Sequence, residues 1–448
     1  MPTCALHPLP YHADPATYFS RIQGAPGAVL LDSARPAASR GRFDLLSAWP
    51  VERLEAAPGE PGRDYLQRLR ASLARLGHAE LPQGCPLPFA GGLMGYLSYD
   101  FGRRLEQLPC GPTDDIGLPD AQLGLYDWAL ISDHQACTSQ LVFHPNLPDS
   151  RRKTLVQCFE APEATLAGRF RLKANFASDL DAEGYRQAFQ RIQAYIQAGD
   201  CYQVNLTQRF RAPCEGEPWH AYKALRQACP TPFSGFIGLA DGSHLLSFSP
   251  ERYLQVGDGQ VETRPIKGTR LRASDAAQDA ANARELLASA KDRAENLMIV
   301  DLLRNDLGRS CRIGSVQVPQ LFGLESYPNV HHMVSSVTGE LAAGKDCLDL
   351  LAGSFPGGSI TGAPKIRAMQ IIDEVEPTRR AFYCGSLLYM DVRGNLDSSI
   401  AIRSLLVKDG QVFCWGGGAV VADSQWQAEY EESIFKVRVL LDTLQGLG

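Results

Sequence analysis

The sequence lacks several features that would assign the protein to a specialised class. Its 12 cysteines include no Cys-x-x-Cys pair, so neither a zinc site nor a disulfide framework is indicated, and the thiols are expected to be reduced. No apolar stretch is long enough to span a membrane. The N-terminus does not follow a charged start with an apolar run, as a signal peptide would. These absences predict a cytoplasmic protein with no membrane partner.

An excess of positive charge is also missing. The formal net charge is −6, from 44 lysines and arginines against 50 aspartates and glutamates. A nucleic-acid-binding protein needs a basic face to neutralise phosphates, so this balance argues against a nucleic-acid partner. The chain has 448 residues, of which 44% are hydrophobic and 21% charged. This length and composition are typical of a soluble globular protein of two or three domains.

Two nucleotide-binding patterns are absent as well. The glycine-rich residues 91–100 contain neither GxGxxG nor the Walker spacing. Residues 355–365 read as a glycine-rich turn that feeds a helix, but Ala363 and Pro364 stand where a Walker motif needs lysine and serine or threonine. The free backbone N–H groups of such a turn still suit an anion. The pattern therefore favours a carboxylate ligand over a triphosphate.

The distribution of proline and glycine and the clarity of the apolar patterns divide the chain into two ranges. Residues 1–165 alternate short apolar runs with proline and glycine, whereas residues 175–448 carry longer and clearer patterns. A polar segment and a weakly patterned stretch separate the two. Helical spacing of apolar residues predicts helices at 62–76, at 182–198 and, as one long element, at 276–307.

Residues 263–269, which read TRPIKGT, are the strongest candidate for a functional segment. Their composition predicts a short strand near an edge or a bulge. Because side chains of a strand alternate between its faces, Thr263, Lys267 and Thr269 would point the same way. Gly268 has no side chain, so a flat ligand could approach the backbone there. An isolated lysine of this kind usually lies in a solvated turn. The residues around Lys267 decide between this interpretation and a functional role.

Two pairs of carboxylates follow in the chain. Asp292 and Glu295 are three residues apart on the predicted helix 276–307, and Glu429 and Glu432 repeat that spacing near the C-terminus. Residues three apart share a helix face, so each helix could present two carboxylates to one point. Either pair could simply lie on a solvated face, where most acidic residues are found. Both pairs could instead bind one hard cation such as Mg²⁺, which takes one or two protein carboxylates and completes its shell with water and substrate.

Five segments of the second range resemble the chorismate-utilising enzymes, and they occur in the order of that family. They are residues 264–270, 292–301, 356–365, 402–404 and 416–424, which read RPIKGTR, DRAENLMIVD, PGGSITGAPK, IRS and GGGAVVADS. A weaker resemblance covers residues 42–44 and 91–100 of the N-terminal range. The resemblance implies an α+β fold of two large, mostly antiparallel sheets packed face to face, with helices outside and the site between the sheets. It also implies that 1–165 is the N-terminal region and 175–448 the chorismate-binding catalytic domain.

Two positions distinguish the reactions within this family. Anthranilate synthases usually have alanine where this chain has Lys267, whereas aminodeoxychorismate synthases carry the lysine. Isochorismate and salicylate synthases carry a basic lysine at the position of Gln203, and an amide cannot deprotonate water near neutral pH. Both positions indicate the aminodeoxychorismate branch, a transferase activity that supplies 4-aminobenzoate and folate biosynthesis. An anthranilate synthase, or a catalytically silent tryptophan-binding or regulatory subunit, remains an alternative.

The resemblance further implies a mechanism. Mg²⁺ is held mainly by Glu295 and Glu432, with Asp292 and Glu429 close by, and binds a carboxylate of chorismate. Lys267, as the free amine, attacks C2 of the ring while Glu251 protonates the leaving C4 hydroxyl, and ammonia then attacks C4 and expels the lysine. The remaining family positions that line the substrate pocket are His332, Thr361, Tyr389, Arg403, Gly416, Gly417, Gly418 and Lys436.

Burial and nearby positive charges lower the pKa of a lysine. Arg264 and Arg270 flank Lys267 in the sequence. We expect Lys267 to be neutral in the working enzyme.

Two further ligands follow from the resemblance. The chain has no cysteine in a Gly-x-Cys-x-Gly elbow, so ammonia would come from a separate glutamine amidotransferase subunit. Relatives also have a tryptophan pocket between the segment after the first strand and a later strand. Ordinary core packing explains each of its matching positions equally well. These positions are Leu31, Ser33, Phe43, Asp44, Tyr202 and Asn205.

Overall fold

The computed structural model describes residues 1–38, 41–108, 111–162, 168–327 and 330–447. The helices of these residues are α1 (Ala16–Phe19), α2 (Gly62–Leu76), α3 (Gly102–Leu105), α4 (Asp149–Glu160), α5 (Ala182–Gln197), α6 (Pro218–Ala228), α7 (Ala276–Ala288), α8 (Ala290–Gly308), α9 (Cys347–Ser354), α10 (Lys365–Val375) and α11 (Trp426–Gln445). Short 3-10 turns lie at Tyr99–Phe101 and Gly358–Ile360. None of the described helices is both long and apolar enough to cross a membrane.

The first twelve strands have two to six residues each, apart from Gln203–Gly216, which has 14 residues. They are β1 (Ala5–Leu9), β2 (Val29–Asp32), β3 (Phe43–Ser47), β4 (Glu52–Glu55), β5 (Gly92–Leu97), β6 (Ala121–Tyr126), β7 (Trp128–Asp133), β8 (Thr138–Phe143), β9 (Phe170–Leu172), β10 (Ala177–Ser178), β11 (Gln203–Gly216) and β12 (Phe233–Gly238). The later strands are β13 (His244–Ser249), β14 (Arg252–Gly257), β15 (Gln260–Thr263), β16 (Ile266–Leu271), β17 (Gln317–Ser326), β18 (Val330–Glu340), β19 (Gly362–Ala363), β20 (Ser386–Asp391), β21 (Leu396–Ile400), β22 (Ser404–Lys408) and β23 (Gln411–Val420).

Within the described residues these strands form two antiparallel sheets. The 13-stranded sheet has the order β1-β8-β7-β3-β2-β12-β13-β22-β23-β11-β10, with β9 and β19 also paired to β11. The 10-stranded sheet has the order β16-β18-β15-β14-β21-β20-β5-β6-β4, with β17 paired to β18. The α+β fold of two large antiparallel sheets with helices outside is therefore confirmed.

Alternation of side chains along each strand explains how the sheets pack. On β13, Leu245 lies in the core between the two sheets, together with Leu387 of β20. Its neighbour Leu246 points to the other face and packs with Trp219 of α6 and Leu440 of α11. Since successive residues of a strand face opposite ways, runs of adjacent apolar residues are needed to bury both faces of the larger sheet.

Both sheets contain strands from the two ranges that the sequence suggests. In the larger sheet β2 pairs with β12, and in the smaller sheet β5 pairs with β20. A division into 1–165 and 175–448 would therefore not divide the core, and it stays a prediction. Residue 165 itself lies outside the described residues.

The long helix predicted at 276–307 is wrong in one respect, because two helices occupy this stretch. Ser289 lies between α7 and α8, and its hydroxyl accepts a hydrogen bond of 3.2 Å from the backbone N–H of Asp292. This is the N-cap arrangement, in which a serine oxygen satisfies one of the free N–H groups of the first turn. The break places Asp292 in the first turn of α8, close to β16.

A buried ion pair joins the end of α10 to the strands beneath it. Arg380, which is 2% exposed, pairs with Glu376 at 2.7 Å. The guanidinium also donates to the carbonyl oxygens of Ile360 and Asn205, at 2.8 and 2.6 Å. Glu376 in turn accepts hydrogen bonds from the backbone N–H and the hydroxyl of Thr207. The pair therefore fixes β11 and the turn at Gly358–Ile360 relative to each other.

Replacing Arg380 with methionine should destabilise the protein strongly, because it leaves the Glu376 carboxylate buried without its counter-charge. We expect the free energy of unfolding in urea to fall by about 3 kcal/mol or more. The matched control is Arg304→Met, since Arg304 pairs with Asp301 on the surface of α8 with more than half of its side chain exposed. That control should change the free energy by at most about 1 kcal/mol. Equal losses in the two variants would contradict the role of the buried pair.

Candidate active site

Two of the points at which the chain crosses between the sheets lie next to each other. The chain leaves the larger sheet after β13 and enters the smaller one at β14, so that Glu251 lies in the crossing. It returns between β21 and β22, where Arg403 lies. The two crossings are joined by hydrogen bonds from the N–H of Ile400 to the carbonyl of Glu251 and from the N–H of Phe248 to the carbonyl of Arg403. The side chains of Glu251 and Arg403 therefore lie in connections between the two sheets and not within a strand of either sheet.

Lys267 lies on β16 beside a bulge. Ile266 is opposite Val334 of β18 and Thr269 is opposite His332, so two residues of β16 face a single residue of β18. An extra residue of this kind bends the strand and redirects its side chains. Gly268 has φ 84°, a conformation that glycine adopts without steric cost.

Other side chains of the protein occupy the space where a side chain of residue 268 would lie. A Cβ atom there would lie 2.8 Å from Leu286 and 3.0 Å from the carboxyl carbon of Asp292. Side chains of α7 and α8 therefore occupy the space on the Cβ side of Gly268, and the approach of a flat ligand to its backbone stays a prediction.

Burial lowers the pKa of Lys267, and the charge of Lys436 pushes it in the same direction. The carboxylates of Glu295 and Glu251 oppose this effect. The ammonium nitrogen lies 3.3 Å from the carbonyl oxygen of Ser359, to which it donates a hydrogen bond. A lysine in this environment is deprotonated more readily than a solvated one, which is what a nucleophilic amine requires.

The two arginines that flank Lys267 in sequence are not among the charges that lower its pKa. Arg264 is paired with Glu325, and Arg270 is paired with Asp292 at 3.2 Å. Their charges are thus compensated by carboxylates, and the cation that helps to lower the pKa of Lys267 is Lys436. Arg264 and Arg270 are neighbours of Lys267 in the sequence, whereas Lys436 reaches the site from α11.

Glu251 is suited to donate a proton. It is 6% exposed, and burial raises its pKa to about 7, although a hydrogen bond from the Ser359 side chain and the charge of Lys267 limit the rise. A carboxyl group with such a pKa is protonated in a large fraction of molecules at neutral pH, so it can act as a general acid.

The glycine-rich turn contributes Ser359 to this group. Ser359 contacts Lys267 through its carbonyl oxygen and Glu251 through its side chain. The sequence analysis selected Thr361, but the hydroxyl of Thr361 donates to the carbonyls of Gly357 and Gly358, at 3.0 and 3.3 Å. Thr361 therefore holds the turn, and Ser359 is the residue of this motif that lies beside the lysine. Only the shape of the 3-10 turn distinguishes the two.

Three of the four predicted metal-binding acids lie on facing surfaces of α8 and α11. Burial raises the pKa of Glu295 and of Glu429, and a hydrogen bond of 2.7 Å from Ser424 to Glu429 limits the rise there. Burial also acts on Glu432, but an ion pair of 2.6 Å with Lys436 outweighs it and leaves the pKa of Glu432 below its ordinary value.

The fourth acid, Asp292, faces Arg270, with which it forms an ion pair of 3.2 Å.

The donor set suits a hard cation. A Cβ atom at Gly418 would lie 3.1 Å from Oε2 of Glu429 and 3.6 Å from Oε1 of Glu432, so only glycine leaves room beside these carboxylates. Carboxylate oxygens are the ligands that Mg²⁺ prefers. Among the described residues, however, no three acidic, histidine or cysteine side chains are arranged closely enough to hold an ion. The ammonium group of Lys291 lies between Glu295 and Glu429 instead, 4.0 Å from one and 3.9 Å from the other.

His332 and the glycines of β23 complete the group. Burial lowers the pKa of His332 to about 4, with the charge of Arg403 acting in the same direction, so the imidazole is neutral at pH 7. Its Nδ1 lies 2.9 Å from the hydroxyl of Thr269. Lys436 donates a hydrogen bond of 3.0 Å to the carbonyl oxygen of Gly417. The structure thus brings His332, Arg403 and residues 416–418 to the side of the lysine.

Tyr389 does not belong to this group. It lines a second cavity of about 360 Å³ between the sheets, together with Leu31 and Phe43. The tyrosine next to the glycine strand is Tyr383, whose ring stacks on Trp415 with the centroids 6.1 Å apart. The structure therefore does not place Tyr389 in the group around Lys267, and Tyr383, six residues earlier in the chain, is the tyrosine beside the glycine strand.

The second cavity contains part of the predicted tryptophan pocket. Ser33 and Asp44 lie next to Leu31 and Phe43 and bond to each other, with 2.7 Å between the Ser33 hydroxyl and Oδ1 of Asp44. The sequence analysis missed the other lining residues, which come from β2, β3, β12, β14, β20 and β21 and from the segments before β3, β5 and β12. They are Asp32, Gly41, Arg42, Leu45, Pro88, Pro232, Phe233, Ser234, Arg252, Gln255, Leu387, Leu388, Asp397, Ser398 and Ser399.

Tyr202 and Asn205 lie elsewhere, and their assignment to this pocket was wrong. The backbone N–H groups of Tyr202 and Asn205 donate to the carbonyls of Ala363 and Thr361, at 2.8 Å each. The side chain of Tyr202 is 70% exposed. The strand beside β2 is β12 and not β11, and this strand order could not be read from the sequence.

The pKa of Lys267 can be measured by competitive acetylation of the protein over a range of pH, followed by mass spectrometry of the Lys267 peptide. We expect half-maximal reactivity at a pH below the ordinary lysine value of about 10.4. In Glu295→Gln the pKa should fall further, because the negative charge that favours the ammonium form is removed. An ordinary pKa, or a rise in this variant, would contradict the burial of the amine.

Comparisons with known proteins show which family the chain resembles. The family model described as chorismate binding enzyme matches residues 27–442. The chain is 46% identical to aminodeoxychorismate synthase component 1 of Klebsiella aerogenes, over 99% of both chains. It is 45% identical to the protein of that name from Escherichia coli, over 96% of this chain and 95% of the relative. Anthranilate synthase component I of Streptococcus pneumoniae superposes with a TM-score of 0.79 at 31% identity, over 90% of this chain and 92% of that chain. The chain belongs to the family of chorismate-binding enzymes.

Proposed function

We propose that the protein converts chorismate and ammonia to 4-amino-4-deoxychorismate, the precursor of 4-aminobenzoate in folate biosynthesis. The observation that carries this proposal is Lys267, a half-buried lysine whose side-chain nitrogen lies 3.3 Å from the carbonyl oxygen of Ser359, the residue whose side chain contacts Glu251. The pKa of this lysine is lowered, which favours the neutral amine. The relatives at 45 and 46% identity that are named aminodeoxychorismate synthase component 1 support the same activity. By its net reaction the enzyme is a transferase of the transaminase class.

The reaction follows from two exchanges at the ring. The neutral amine of Lys267 forms a bond to C2 as the bond between C4 and its hydroxyl breaks, and Glu251 gives its proton to that hydroxyl, which leaves as water. Ammonia then forms a bond to C4, the bond between C2 and the lysine breaks, and Glu251 takes back a proton from the new amine. A carboxyl group with a pKa of about 7 can serve in both directions.

The carboxylates of the substrate would be held from two sides. Glu295, Glu429 and Glu432 would hold Mg²⁺, which neutralises and orients one substrate carboxylate when it is bound. Arg403 and the backbone of residues 416–418 would bind the other, with Lys436 assisting. The neutral His332 would offer a hydrogen bond without adding charge. Asp292 would act more remotely, through its pair with Arg270.

Ammonia would come from a separate glutamine amidotransferase subunit. The name component 1 of the relatives supports such a second component. With this chain alone, the reaction would depend on free ammonia.

Anthranilate synthesis is the second candidate, supported by the likeness to the anthranilate synthase structure. The lysine at position 267 disfavours it, since a covalent lysine adduct at C2 blocks the carbon that anthranilate synthesis aminates. Attack by water is disfavoured by Gln203, whose buried side chain carries no base. The two candidates differ in their products, because anthranilate forms with loss of pyruvate.

The purified chain with chorismate, Mg²⁺ and ammonium should release 4-amino-4-deoxychorismate and no pyruvate. Without ammonium, intact-protein mass spectrometry should show an added ring mass on the Lys267 peptide. Lys267→Ala should lose the adduct and form product far more slowly, and Glu251→Gln should lower kcat about a hundredfold or more. Pyruvate release by the wild type, or product formation by Lys267→Ala at the wild-type rate, would refute the proposal.

We also propose that the second cavity binds tryptophan. Its lining combines the aromatic rings of Phe43, Phe233 and Tyr389 with an ion pair of 3.1 Å between Arg252 and Asp397. Aromatic walls with a few charged groups suit the ring and the charged ends of an aromatic amino acid.

Calorimetry should detect tryptophan binding to the wild type. Ser399→Leu should abolish the heat, because Ser399 lines the cavity and a larger apolar side chain would fill it. Turnover of chorismate by this variant serves as the control for folding. If the wild type gives no heat with tryptophan, the cavity is structural only.

A further inference from the structure

Lys291 stands where two of the metal-binding carboxylates meet. It is the second residue of α8, and its ammonium nitrogen lies 4.0 Å from Oε1 of Glu295 on its own helix. The same nitrogen lies 3.9 Å from Oε1 of Glu429 on α11. One positive charge thus lies within 4.0 Å of a carboxylate oxygen on each of the two helices that would hold the cation, and the oxygen of Glu429 also accepts a hydrogen bond from Ser424.

The ion pairs of Lys291 are easy to break. Both separations exceed the range of a hydrogen bond, so the ammonium group is attracted by charge and not fixed in direction. The side chain is 56% exposed, and its flexible stem can move into solvent at little cost. Lys436, by contrast, is fixed by an ion pair of 2.6 Å to Glu432 and a hydrogen bond to the carbonyl of Gly417.

The carboxylates, however, need a counter-charge. Glu429 is 3% exposed and the side chain of Glu295 is 15% exposed, and a carboxylate removed from water costs free energy unless a counter-charge pairs with it. Mg²⁺ requires direct contact with carboxylate oxygens at about 2.1 Å. An ammonium group that attracts both carboxylates from the space between them competes with such contact.

We propose that Lys291 is an internal counter-ion that occupies the cation site of the free enzyme and must be displaced when a divalent cation binds. The inference rests on the proposed function only in taking Glu295 and Glu429 as the cation ligands. The proposal predicts that Lys291 weakens cation binding to the free enzyme, although its positive charge stabilises the ionised carboxylates of Glu295 and Glu429.

Cation affinity can be measured without turnover, from the decrease of the free Mn²⁺ signal in electron paramagnetic resonance as full-length protein is added at low ionic strength. In Lys291→Met the dissociation constant for Mn²⁺ should be about fivefold lower than in the wild type, a modest change because the ion pairs are partly exposed. Raising the ionic strength should narrow this difference, because salt screens the attraction that the lysine exerts.

Two variants control for other effects. Lys291→Arg keeps the charge and should bind Mn²⁺ within about twofold of the wild type. Lys345→Met is matched in geometry, since Lys345 lies 3.9 Å from Asp349 four residues later on the helix and is 45% exposed. It should leave the dissociation constant unchanged. Circular dichroism shows that each variant is folded.

An unchanged or weaker affinity in Lys291→Met would overturn the proposal, since the lysine would then be neutral or helpful to the site. Tighter binding in Lys345→Met as well would overturn it too, because any loss of positive charge would then suffice. Absence of Mn²⁺ binding in both the wild type and Lys291→Met would overturn the assignment of the ligands. The product assay with chorismate tests the proposed function separately.

Discussion

Burial between the two sheets is the condition on which the chemistry of this protein depends. It lowers the pKa of Lys267 and raises that of Glu251 to about 7, so the same loss of water favours a neutral amine and a neutral acid side by side. Desolvation disfavours the charged form of any group, whatever its sign. His332 follows the same rule with a pKa of about 4. The site thus gathers a lysine and a glutamate that would both be charged in water at neutral pH.

Such a site needs support, because buried polar groups cost free energy unless they are paired. Two buried ion pairs supply it on either side of the glycine-rich turn. Arg380 and Glu376 hold the carbonyl of Ile360 from below. Lys365 pairs with Asp306 of α8 at 2.6 Å and donates to the carbonyl of Ser354 before the turn. The turn that contacts both the lysine and the acid is thereby fixed at both ends, which keeps their spacing constant.

Much of this arrangement could be predicted from the sequence. Helical spacing gave α2 with its observed ends, and it gave α5 to within one residue. The motifs around Lys267, Glu295 and residues 416–418 identified the segments that the structure brings together. These signals succeed because helix periodicity, capping and short motifs depend on residues close together in the chain. The break at Ser289 was also a local signal, since serine is a favoured N-cap, but the continuous apolar pattern obscured it.

The sequence by itself determined the residue types of the site and the elements that carry them. Only the tertiary structure decided that β2 lies beside β12, that Tyr389 and Phe43 share one cavity, and that Lys291 lies between two helices. The reason is that strand order and cavity membership arise from contacts between distant segments. Side-chain alternation tells which residues share a face of a strand, but not which strand or cavity that face will meet.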